Sequence, residues 1–430
     1  MLTLGVNGTA IMAALPTMRH ALGLSAGELE WAINAYLIVS AACIIPGGKL
    51  CDRAGARRVC LIGLVLFAIA AVVVATAQVP AGLLAGRALQ GLAAALSVPA
   101  TLAAIHEASP PERRPSAIGA WAGFLMLGFS LGPLIGGTLT HFIDWRVIFW
   151  GSGAAMLVAA AGFVGASASF GKRQHGRFDW TGFVLLALFM AALLSALQAL
   201  PTLTRAPVHV LGFGALAAAA CVALVKLENR VAEPLIDLGL FRQSAFVRAV
   251  ALGAIAMGSI LSLLLYYNLD AQSPAGLGLT PVGAGFSLLP MSGGLLVFAF
   301  AAPGLVRHFG ARLAVSGGTL LMALGGLAIA GAVVSQNWAI LLIALFVIGT
   351  GLALPYATAP RLALATLPPE AAGSGSGVIN ACTFLAGSIG VSAGAIMFAV
   401  AGLSGVMGLI ACLGLLGAVL CRGLPEAASR

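Results

Sequence analysis

The chain is 430 residues long, 60% hydrophobic and only 8% charged, with a formal net charge of +9. An ordinary soluble domain carries about 25% charged residues, so the composition excludes a soluble enzyme or nucleic-acid-binding module and indicates a polytopic membrane protein. Apolar runs of about 17 to 25 residues predict spans near 1–16, 29–48, 59–78, 82–105, 116–140, 147–168, 179–200, 208–226, 246–268, 282–304, 313–334, 338–358, 376–399 and 403–421. That is an all-α protein of fourteen helices.

The first span begins at Met1, so the chain reads as lacking an N-terminal tail. No Lys or Arg precedes Arg19, so the basic region of a cleaved signal peptide is missing. Basic residues stay on the cytoplasmic side of short loops. With the N-terminus inside, eighteen of the 22 Lys and Arg residues fall in inner segments; Arg19, Arg146 and Arg205 are outside, and Arg87 alone lies within a span. An even number of helices with both ends inside satisfies this alternation. The net charge is therefore topological, and no nucleic-acid partner is expected.

After the second span comes "KLCDRAGARR" (Lys49 to Arg58), which recurs as "GLVRHFGARL" (Gly304 to Leu313) at an offset of 255. The "SPPE" after the fourth span (Ser109 to Glu112) recurs as "LPPE" (Leu367 to Glu370) at an offset of 258. Eight helices separate equivalent positions, so the two halves share one orientation. Parallel six-helix repeats place a transport site near the midplane between them. The predicted units are 1–168, a six-helix bundle; 169–237, two surplus helices with their linkers; and 238–430, a second six-helix bundle. The seven cysteines lie in spans or at their inner ends without metal-ligand spacing and read as packing residues. "GSGSG" (Gly373 to Gly377) lacks the Lys-Ser/Thr of a phosphate loop, and "HEASP" at His106 lacks the second His of a zinc-protease helix.

Six stretches in order carry a resemblance: "GGKLCDRAGARR", "RALQG", "GFSLGPLIGG", "DWRVIF", "FDWTG" and "EPLIDLGLFR". On them the chain resembles the major facilitator superfamily and, within it, the fourteen-span drug:proton antiporters of bacteria, over essentially its whole length. The resemblance implies the major facilitator fold, with two six-helix bundles, two extra helices and both termini inside. It implies a monomeric, multi-pass exporter of small amphiphilic compounds in the bacterial cytoplasmic membrane. Transport would proceed by alternating access, with the proton gradient as energy source and no bound cofactor.

The loop residues Gly48, Asp52, Arg53, Gly55 and Arg57 match the family signature between the second and third helices, which implies a gating role. In the fifth helix, Gly128, Gly132 and Gly136 recur at i, i+4 and i+8 and present one face without side chains to a neighbour. Pro133 removes a backbone hydrogen bond beside them, and with Gly137 the stretch resembles the superfamily's exporter pattern. A charge in a span costs about 2.5 to 3.5 kcal/mol, so Arg87 must face the interior; the resemblance links it to proton coupling, with Gln90 one turn on.

The chain departs from the family in its first helix, where "VNGTAIMAALP" carries Asn7 in place of the usual aspartate. All thirteen acids fall at helix ends or in loops, so coupling would need Asp52, Asp179, Asp270, Glu30 or a histidine. With Arg87 as the only fixed charge in the pathway, neutral or anionic amphiphiles are favoured. Further pathway candidates are Asn34, Tyr36, Trp121, Phe124, Tyr266, Tyr267, Asn268, Tyr356 and Asn380. Loss of the first-helix acid also admits an uncoupled facilitator or a non-transporting sensor or scaffold.

Overall fold

The regular structure of the computed structural model is entirely helical over the described residues, which are 1–110, 112–165, 179–200, 207–231, 234–367 and 372–424. The helices are α1 (Leu2–Leu22), α2 (Ala26–Ala54), α3 (Ala56–Ala75), α4 (Pro80–Ala108), α5 (Arg114–Phe142), α6 (Arg146–Gly165), α7 (Trp180–Ala199), α8 (Pro207–Glu228), α9 (Ser244–Ala271), α10 (Pro281–Ser287), α11 (Leu289–Phe309), α12 (Ala311–Ser335), α13 (Trp338–Ala365) and α14 (Ala372–Cys421). Several overrun the predicted spans at both ends, because the apolar window omits caps and polar last turns. In α2, for instance, Ser25 and Glu28 form a capping box that starts the helix at Ala26, three residues before the predicted start.

Among the described residues, twelve helices are long and apolar enough to cross a membrane by length and composition. The fourteen predicted spans map onto them with two differences. Helix α1 is not among the twelve; it is enclosed by protein, with residues 10–15 and Met18 wholly buried. The thirteenth and fourteenth spans are joined in α14, which leaves helical geometry at Ala401 (φ −140°, ψ 22°) and Gly402 (φ 58°, ψ −151°). Only glycine readily adopts the latter conformation. The tenth span is in turn divided into α10 and α11 at Leu288, just before Pro290.

Packing repeats along the chain. The pairs α1 with α5, α2 with α4, α3 with α4 and α3 with α6 recur as α9 with α14, α11 with α13, α12 with α13 and α12 with α14. Glycines make the closest of these approaches possible: Gly91 faces the Tyr36 carbonyl, and Gly349, 258 residues on, faces the carbonyl of Met291, 255 residues after Tyr36. The two basic loops have the same backbone as well. Gly55 (φ 88°, ψ 138°) donates its N–H to the Cys51 carbonyl, and Gly310 (φ 82°, ψ 154°) donates to that of Val306. In both copies the expected loop is a one-glycine turn between abutting helices. Helices α7 and α8 pack on each other, and α7 packs on α2 and α14.

Candidate functional site

Arg87 is 1% exposed and lies among α1, α2 and α4. Its Nη1 donates to Asn7 Oδ1 (3.0 Å) and to Gln90 Oε1 (2.8 Å), its Nε donates to the Ala32 carbonyl (2.9 Å), and its guanidinium carbon stands 4.6 Å from the centre of the Tyr36 ring. Asn7 Nδ2 donates in turn to Ser152 Oγ on α6 (3.1 Å). Amides, a carbonyl and a ring face thus spread the charge, and no carboxylate bonds to Arg87 among the described residues. Arg87 is buried, and its Nε and Nη1 donate inside one set of helices. Gln90 Nε2 is buried there without a partner among the described residues.

A second polar cluster joins the first set of helices to the repeat. Asn34 Nδ2 donates to Ser392 Oγ (3.1 Å), and Ser388 Oγ donates to Asn34 Oδ1 (2.6 Å), linking α2 to α14. Gln272 Nε2, just past α9, donates to the Ala13 carbonyl of α1 (2.9 Å). Gly137 packs on the Pro281 carbonyl of α10, and a side chain at Gly285 would meet the Pro133 carbonyl at 2.8 Å. These links lie toward the face that carries the α1–α2 turn. The two helix sets are locked together on that side.

The α5 glycines behave as two groups. Gly128, Gly132 and Gly136 face α1, meeting Leu2, Thr9 and Ala10, so their seam lies within one helix set. Gly137, with Pro133 and Leu134, reaches across to α10. The remaining candidates separate in the same way. Tyr267 donates to Ser287 Oγ (2.7 Å), Tyr266 to the Val391 carbonyl (2.7 Å), Asn268 to its own helix at Leu264 (2.7 Å), Asn380 to Ser376 (2.9 Å) and Trp121 to Thr101 Oγ1 (3.1 Å). Phe124 is 54% exposed, and Tyr356 is partly buried.

At the α2–α3 turn Asp52 is exposed, Gly48 lies beside Pro99, and Arg57 donates to the Val164 carbonyl at the end of α6 (2.7 Å). Arg53 is partly buried beside them. Nearby Lys49 Nζ donates to the Pro234 carbonyl (2.6 Å), tying the segment after α8 to α2. Lys172, Arg173, Arg177 and Arg205, which entered the topology argument, lie outside the described residues. Sequence reasoning missed Ser152, Ser388, Ser392, Ser287 and Gln272. The one available signal was the i, i+4 spacing of Ser388 and Ser392, which serine shares with ordinary helix packing.

A repeated set of apolar helices meeting at a polar seam defines a multi-pass membrane transporter. The Major Facilitator Superfamily profile matches residues 1–390, and the chain belongs to that family. It is 30% identical over 396 residues to the tetracenomycin C resistance and export protein of Streptomyces glaucescens, covering 90% of this chain and 72% of that protein. It is 29% identical to the multidrug resistance protein Stp of Mycobacterium tuberculosis (90% and 71% covered) and to the putative multidrug resistance protein MdtD of Klebsiella pneumoniae (90% and 82%). Among solved structures, a D-xylose-proton symporter superposes with a TM-score of 0.70 at 18% identity, covering 100% of this chain and 96% of that one. The human organic anion transporter MFSD10 superposes at 0.66 and 17% identity, covering 98% and 97%. The chain is a transporter of small molecules rather than an enzyme, and a multi-pass protein of the bacterial inner membrane.

Proposed function

We propose that the protein exports small amphiphilic compounds from the cytoplasm by proton antiport with alternating access, acting as a monomer of fourteen spans with both termini inside. The six-helix units are 1–168 and 238–430, with 169–237 supplying the two extra helices. The observation that carries the reading is the identity with a named export protein over nine-tenths of the chain. The seam is consistent with it: the inter-set side-chain hydrogen bonds of Asn34 and Gln272 and the α5–α10 contact lie toward the α1–α2 face, and strengthening or releasing them on one side is what alternating access requires. The guanidinium of Arg87, held by neutral partners, favours neutral or anionic amphiphiles over cations. The proton gradient is the energy source, and no cofactor takes part.

One observation favours a second reading, an uncoupled facilitator. Asn7 occupies the site where an aspartate would meet Arg87, and an amide cannot carry a proton between two sides of a membrane. Proteoliposomes with an acid lumen decide between the two. Addition of tetracenomycin C should drain the lumenal proton load if the protein is an antiporter. An undisturbed gradient with continued substrate movement, and coupling gained in Asn7→Asp, would establish the facilitator instead.

A further inference from the structure

We infer that Glu30 is the proton-binding group of the inter-helix seam, and that its protonation holds the α1–α2 face closed; the inference rests on the antiport reading above. Three contacts fix the register of α2 against α14. Ile45 packs at Gly377, Leu37 at Gly387, and Asn34 bonds Ser388 and Ser392. The helices run antiparallel, so the next turn of α2 toward the α1–α2 face brings Glu30, four residues before Asn34, to the turn of α14 beyond Ser392. Tyr266 of α9 closes the same spot. Its hydroxyl donates to the Val391 carbonyl, its ring lies against Gly394, and its centroid is 5.2 Å from that of Phe398. Glu30 is its acidic neighbour.

Glu30 is partly buried and has no hydrogen-bond or ion-pair partner among the described residues. The groups around it supply no neutralising cation. Of the titratable groups on α9, Tyr266 is the one beside Glu30, while Arg248 donates to the Gly423 carbonyl at the other end, Tyr267 donates to Ser287 and Asp270 lies in the last turn; residues 372–421 of α14 contain no charged side chain. Arg87 on α4 is engaged with Asn7, Gln90 and Ala32. Glu28 is bonded to Ser25, while Arg19 and His20 are exposed in the last turn of α1. Asp179 on α7, and Arg57 and Arg58 on α3, lie at the opposite end of α2. A carboxylate buried in such a seam without a partner is costly, whereas a neutral carboxyl is tolerated. Closure of the seam therefore selects the protonated form, loaded from water on the α1–α2 side, and loss of the proton toward the opposite, open side lets the seam reopen. The only bond made or broken is the carboxyl O–H. The other acids lack this placement: Asp52 is exposed at the far end of α2, Asp179 caps α7 through Gly182, and Asp270 sits in the last turn of α9.

The test needs no substrate. Hydrogen exchange of the purified full chain, corrected for intrinsic rates, is followed by mass spectrometry across about pH 5 to 9. Peptides covering residues 26–40 and 386–400 should lose protection about tenfold per pH unit where one proton is released on opening. Glu30→Gln should remain protected with no slope, Glu30→Asp should keep the slope with a moved midpoint, and Asp270→Asn should behave as native. A native slope retained in Glu30→Gln, or none in the native chain, overturns the assignment. Should Glu30→Gln fail to elute as a monodisperse protein, an unmoved midpoint in Glu30→Asp overturns it equally. Proteoliposome flux with tetracenomycin C separates the two levels: coupling absent from the native protein sinks antiport, whereas coupling that survives Glu30→Gln sinks Glu30.

Discussion

Arg87 shows how a charge is kept inside a membrane protein without a counter-ion. The planar guanidinium reaches acceptors on α1, α2 and its own helix at once, and its face is covered by Tyr36. A lysine ammonium is a point charge that cannot span those acceptors in one plane. Arg87→Lys should therefore lower the thermal stability of the purified protein by about 1 to 3 kcal/mol and abolish export. Unchanged melting in detergent would show that the fork geometry is dispensable. Gln90 was legible as a neighbour of Arg87 because it lies one turn on along the same helix, whereas the bond to Asn7 depends on which helix packs against α4. Ser152, Ser388 and Ser392 were not legible, since serine is equally at home in a tight apolar contact.

Among elements, α5 carries two functions on adjacent residues. A side chain at Gly136 meets the backbone of Ala10, whereas one at Gly137 meets that of Pro281 in the repeat. Gly136→Val is expected to destabilise the protein by about 1 to 3 kcal/mol through overpacking against α1. Gly137→Val should leave the melting midpoint near native while wedging the α1–α2 face open, seen as faster hydrogen exchange in α10. At Gly119, where no neighbour lies within 4 Å, Gly119→Ala should be neutral or stabilising by up to about 1 kcal/mol. Equal melting losses at 136 and 137 would contradict this division. The i, i+4, i+8 spacing revealed a glycine face. It could not reveal the facing helix, because spacing fixes direction around a helix and nothing about what stands opposite.

At the scale of the whole molecule, orientation remains the proposal with the widest consequence, since it decides which face is the closed one. Ser25 and Arg58 are both exposed and lie at opposite ends of α2. With the N-terminus inside, Ser25→Cys should react with a membrane-impermeant maleimide in intact cells, and Arg58→Cys only after permeabilisation, each measured against the native cysteines. The reverse pattern would turn the transporter over and make the closed seam cytoplasmic.

The apolar runs, the basic loops and the repeat at offsets of 255 and 258 were enough to establish a helical membrane protein of two like halves. Hydropathy and charge are local properties, and the bilayer imposes them residue by residue. The shared backbone of Gly55 and Gly310 follows from the same repeat. Only the tertiary structure decided that α1 is enclosed by protein, that Arg87 is spent on neutral partners, and that Glu30 reaches the seam between α2, α9 and α14. These depend on which helices meet and at what depth. Contacts between residues more than 350 positions apart, such as Asn34 with Ser388 and Ser392, leave no periodic trace in either segment alone.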